Sequence, residues 1–78
     1  MEAARRPYRN FAGDSPIRYF AVGPSFIRIW FEDGGGYEYD HSRPGREHVN
    51  AMRRLAMEGR GLATYISRHV RANYARKL

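Results

Sequence analysis

Residues 25–41 read SFIRIWFEDGGGYEYDH, and the fold is decided here. On an extended chain, side chains alternate between two faces. Ile27, Ile29 and Phe31 therefore share one side, and Phe26, Arg28 and Trp30 share the other. Asp33, Gly34, Gly35 and Gly36 follow, residue types that accept the positive φ of a tight reversal. Alternation then resumes, with Tyr37, Tyr39 and His41 against Glu38 and Asp40. The pattern predicts a β-hairpin whose first strand has one wholly apolar face.

Upstream, Ser15 to Val22 predicts another strand, with Ile17, Tyr19 and Ala21 alternating against Arg18, Phe20 and Val22. Pro16 suits a strand start, where no ladder donor is needed, and Gly23-Pro24 makes the turn into the hairpin. Three consecutive strands with short turns give an antiparallel meander. Downstream, Ser42 is an N-cap candidate, and Pro44 and Glu47 suit a first helical turn. Val49, Met52, Leu55 and Ala56 form a stripe at helical spacing that Gly59 ends. After the Gly59-Arg60-Gly61 hinge a second helix is predicted from about Leu62 to Tyr74, with Leu62, Tyr65, Ile66, His69, Val70, Asn73 and Tyr74 on one stripe. Helices shorter than about 15 residues are marginal alone, so both must pack on the sheet. The expected fold class is α+β: a three-stranded antiparallel β-meander followed by two helices packed on one face of the sheet. Residues 1–14, with Arg5, Arg6 and Arg9 among the isolated aromatics Tyr8 and Phe11, show no period and are expected as a basic flexible N-terminal tail. Residues 15–78 are expected as a single domain.

The 78 residues contain no cysteine, which excludes disulfides and thiolate metal sites, so one apolar core must hold the chain. No stretch approaches the roughly 18 apolar residues of a membrane span, and the N-terminus lacks the apolar centre of a secretory signal. A cytoplasmic location and no membrane partner are expected. The net charge of +6 is unevenly placed. Residues 42–78 carry nine Arg and Lys against two acids, whereas residues 15–41 carry two against four. That asymmetry points to a polyanionic partner.

Taken together, the hairpin, the hinge and the second helix resemble the KTSC domain family over about residues 15–74. That family is a module of about this size in bacterial and phage proteins, also found at the C-terminus of some lysyl-tRNA synthetases. Its central Tyr-x-Tyr is similar to Tyr37-Glu38-Tyr39, and its apolar–x–apolar–x–Phe strand is similar to Ile27-Arg28-Ile29-Trp30-Phe31. Ser15-Pro16-Ile17 resembles its Ser-aliphatic start. Ala56-Met57-Glu58-Gly59 and the Leu62–Ile66 segment resemble its Ala-x-x-Gly element and following helix. The chain departs from the pattern at Ser42-Arg43-Pro44 and at Glu58, where many members carry Val-Pro and a Ser. The resemblance implies a KTSC-like domain over residues 15–78, with RNA binding the suggested role.

No catalytic constellation is evident. Asp40, His41 and Ser42 are sequence neighbours, and neighbours on a strand point to opposite faces, so adjacency does not make a relay. His41, His48 and His69 lack the spacing of a zinc site. No enzyme activity, cofactor or metal is expected. Contact with nucleic acid, RNA or a single strand, is expected instead through a basic C-terminal helical layer: Arg53, Arg54, Arg60, Arg68, Arg71, Arg76 and Lys77. Tyr37, Tyr39 and Trp30 are candidates to stack on bases, with burial in the core the alternative for the two tyrosines. The alternative function is a protein-interaction accessory, such as a phage-encoded inhibitor or adaptor docking on a larger host complex. A homodimer through sheet edges is also compatible with the pattern.

Overall fold

The computed structural model describes residues 4–78. Five strands form one antiparallel sheet in the order of the chain: β1 (Arg6–Pro7), β2 (Ile17–Val22), β3 (Phe26–Phe31), β4 (Gly36–Asp40) and β5 (Arg76–Lys77). Helix α1 (Arg46–Glu58) and helix α2 (Leu62–Tyr65) lie between β4 and β5, and α2 widens into a π-helical segment over Ile66–Val70. The α+β class holds, but the expected three-stranded meander is corrected to five strands by a pair at each end of the chain. Arg6 and Pro7 pair with Phe20 and Tyr19, and Arg76 and Lys77 pair with Glu38 and Tyr37. Residues expected as a mobile tail thus supply β1 and a core side chain. Tyr8, 6% exposed, packs in the core, donates its backbone N–H to Arg18 O (2.8 Å), and its hydroxyl accepts the N–H of Leu62 (3.4 Å).

The hairpin forms as its residues dictate. Ile27 pairs with Tyr39 and Ile29 with Tyr37, while Gly34, at φ 91°, turns the chain and Asp33 accepts the N–H of Gly35 (2.8 Å). In β2 a bulge between Ile17 and Tyr19 inserts one residue and exchanges the faces beyond it. Ile17 points into the core, but so do Phe20 and Val22, leaving Tyr19 outward, where strict alternation would have put it with Ile17. Val49, Met52 and Ala56 of α1 and Leu62, Ile66 and Val70 of the second helix close over Ile17, Phe20, Ile27, Ile29 and Tyr39. Each fully buried aliphatic side chain stabilises this layer by about 1.5–3 kcal/mol.

Two boundaries differ from expectation. The cap of α1 is Gly45, because Asp40 captures Ser42: its Oδ1 accepts the Ser42 N–H (3.0 Å) and hydroxyl (2.8 Å) and the Arg43 N–H (2.9 Å). Those bonds, led by the Ser42 hydroxyl, hold the Asp40 carboxyl below its ordinary range against an opposing effect of burial. Gly59 ends α1 in the left-handed conformation at φ 78°, donating to Leu55 O and Ala56 O. The second helix stops at Arg71 (φ 44°) and does not reach Tyr74. Its last residues are drawn off to the open edge of β4, where Ala75 N–H meets Glu38 O (2.7 Å) and Leu78 N–H meets Gly36 O (2.9 Å).

Candidate functional site

Both helices cover one face of the sheet, and among the described residues no helix covers the other. On that open face two rows run across the strands in register. The first passes from Pro7 through Tyr19 and Trp30 to Gly36, with Leu78 beyond. The second passes from Ala21 through Arg28 and Glu38 to Arg76.

The first row is an aromatic shelf. Tyr19 is 42% exposed and Trp30 half-buried. Gly36 makes room for the indole: a Cβ there would stand 2.6 Å from Trp30 Cδ1, so only glycine lets the ring lie across β4. The Arg5 guanidinium rests 4.1 Å from the Trp30 ring centroid and 5.5 Å from that of Tyr19, at the height a planar group takes on an aromatic face. Beside these rings is a shallow depression of ≈ 430 Å³ rimmed by Arg18 and Glu32, which pair at 3.9 Å.

The second row is charged and satisfied. Glu38 Oε1 accepts Arg28 Nε at 2.8 Å and Arg76 at 3.2 Å, so one carboxylate fixes two guanidiniums. Arg28 also lies over the Phe26 ring (4.8 Å), which rests on Gly23 as Trp30 rests on Gly36. With Arg5 and the Arg18–Glu32 pair at the rim, the face carries charged groups of both signs among planar rings. Chemically, exposed rings offer π-faces for stacking, and exposed guanidiniums offer bidentate donors to carboxylate or phosphate.

The residues expected to bind are distributed over several surfaces. Trp30 and Arg76 stand in the two separate rows of the open face. Lys77, exposed, pairs with Tyr37 across the β4–β5 edge. Tyr39 is 1% exposed in the core, and burial, helped by Tyr37 and Tyr74, pushes its hydroxyl up to about 12. Tyr37, half-buried, lies between Phe31 (5.9 Å) and Tyr74 (4.6 Å) under the helices. Neither tyrosine belongs to the open shelf. Arg53 and Arg54 stand on α1 facing Arg6, and Arg60 lies 5.6 Å from the Phe11 ring. Arg68 and Arg71 are exposed at the far end of the second helix, where Arg71 Nε donates to Ser67 O (3.0 Å). The structure therefore divides the expected basic helical layer into separate patches. Tyr19, Phe26, Arg5 and Arg28 complete the open face and were not among the expected contacts. The side of Phe26 and Arg28 was legible from alternation with Trp30, whereas that of Tyr19 was hidden by the bulge.

Elsewhere, His48 Nδ1 lies 2.7 Å from the Tyr65 hydroxyl, and exposed His69 stacks on Tyr65 at 4.5 Å. Among the described residues no three His, Cys, Asp or Glu side chains gather as metal ligands, and no helix is long and apolar enough to cross a membrane.

No family model, curated protein or solved structure matches this chain.

Proposed function

We propose that the protein is a small, non-catalytic module that binds single-stranded nucleic acid, RNA or DNA, on the open face of its sheet. The observation that carries this is the Tyr19–Trp30 shelf, left uncovered by the helices and topped by Arg5 at 4.1 Å. Unpaired bases stack on Trp30 and Tyr19, while Arg5 and the exposed Arg76 neutralise phosphates. The excess of cationic residues, +6 overall, draws such a strand to the surface. A duplex hides its base faces and is expected to bind more weakly. RNA binding is also what the KTSC resemblance implies, and a cytoplasmic setting belongs to the same proposal.

Trp30 is the sole tryptophan, so its emission reports this face alone. Titration with single-stranded RNA, single-stranded DNA and duplex DNA at about 50 and 200 mM salt, the range over which phosphate-driven binding weakens steeply, is the test. Single strands are expected to quench Trp30, less at the higher salt. Tyr19→Ala is expected to weaken binding by about 1–3 kcal/mol, the worth of one base–aromatic stack. Absence of quenching and of binding at about 10⁻⁴ M, the weak end of non-specific affinities, overturns the proposal and moves the search to protein partners.

A further inference from the structure

On the helix side of β1, opposite to Arg5, a groove runs between the first strand and α1. Arg5 and Arg6 are consecutive, and Arg6 turns to this side, where its guanidinium reaches Met57 Sδ at 3.3 Å. Facing it on α1 are Asn50, Arg53 and Arg54, which with Val22 and Met57 line a space of ≈ 300 Å³. The groove continues past Met57 to Arg9 in a second space of ≈ 240 Å³. At its end the exposed Phe11 ring is flanked by Arg9 at 6.0 Å and Arg60 at 5.6 Å.

The charges here are not paired as they are in the Arg28–Glu38–Arg76 row. Glu58 pairs with Arg54 at 3.3 Å, and among the described residues Arg6 and Arg53 have no carboxylate partner. Uncompensated guanidiniums on both walls of a narrow groove oppose each other unless an anion enters between them. Arg5 and Arg6 join the groove to the aromatic shelf around the edge of β1.

We infer that this groove is a track for the phosphodiester backbone: a strand whose bases lie on Tyr19 and Trp30 passes over the β1 edge, and its next phosphates seat between Arg6 and Arg53. This rests on the single-strand function proposed above. Arg54 and Arg60 extend the track, and Phe11 offers a stacking surface at its exit.

The test is the salt dependence of binding to a single-stranded oligonucleotide, read by anisotropy and by Trp30 quenching together. For single strands the slope of log K against log salt is about −0.7 per phosphate neutralised. Arg6→Gln/Arg53→Gln is expected to make the slope shallower by about 1.4, so the affinity lost between about 50 and 200 mM salt shrinks roughly sevenfold. Amplitude of Trp30 quenching at saturation is expected to stay unchanged. Arg53→Gln alone, at a partly buried position of α1, is expected to change the slope by about 0.7, and Arg6→Lys/Arg53→Lys to restore it. An unchanged slope with normal quenching overturns the track and leaves the shelf standing. Loss of quenching in the wild-type protein overturns both. Competition by poly-glutamate as strong as by the oligonucleotide overturns the phosphate assignment in favour of an acidic protein partner.

Discussion

Tyr37 and Tyr39 show how far a single residue can be read from sequence. Their shared face was legible, because alternation has a period of two. The helices take the more apolar face, as its Ile27 and Ile29 predict, but whether the two tyrosines share that face was not legible, since a tyrosine suits a core rim and a binding surface equally well. The helices decided it, and Tyr39 now carries a testable signature. Its hydroxyl is raised from 10.0 to about 12 because burial disfavours the phenolate. A proton held more tightly in the folded state than in the unfolded one stabilises the fold fully below pH 10 and is lost between pH 10 and 12. Two units correspond to about 2–3 kcal/mol. Alkaline titration followed by phenolate absorbance is expected to show Tyr39 ionising late, with loss of near-ultraviolet circular dichroism across that interval. Tyr39 ionising near pH 10 in the folded protein would overturn its placement.

The elements were legible in proportion to their length. β3 and β4 were clear from alternation, α1 from its stripe and from Gly59. The two-residue strands β1 and β5 carry no period, and Arg76 and Lys77 read equally well as charges that complement a helix C-terminus. The cross-strand row Arg28–Glu38–Arg76 ties that last strand down. Arg28 and Glu38 side chains are 16% and 12% exposed, so removing the carboxylate takes one charge-assisted bond from a largely buried guanidinium and one from Arg76. Glu38→Gln is expected to lower stability by about 1–3 kcal/mol in urea denaturation. It is also expected to tighten binding to single strands, because it removes the acid at the centre of the proposed face. Weaker binding by the folded variant would count against that face.

For the whole molecule the largest revision concerns the N-terminal segment. Composition distinguishes a basic tail from a core only through the apolar residues between the charges, and one tyrosine among arginines gives no period to detect. Yet Tyr8 lies in the core and its hydroxyl receives the first N–H of the second helix, so the segment joins both halves of the molecule. Tyr8→Ala is expected to cost about 3–5 kcal/mol, as for other buried aromatics, and Phe11→Ala, 59% exposed, less than about 0.5 kcal/mol. Equal, small effects in urea denaturation would return residues 1–14 to the status of a tail. The basic excess of residues 42–78 was legible as a sum, but its division among three surfaces was not, because side-chain direction is set by packing.

The strand order places β1 and β5 at opposite edges, four inter-strand spacings or about 19 Å apart. A force pulling the ends of the chain apart would act across the sheet, along its hydrogen bonds. It would load each two-residue strand one bond at a time instead of shearing many at once. The molecule is therefore built to yield mechanically at low force from either edge while the β2–β3–β4 centre stays paired.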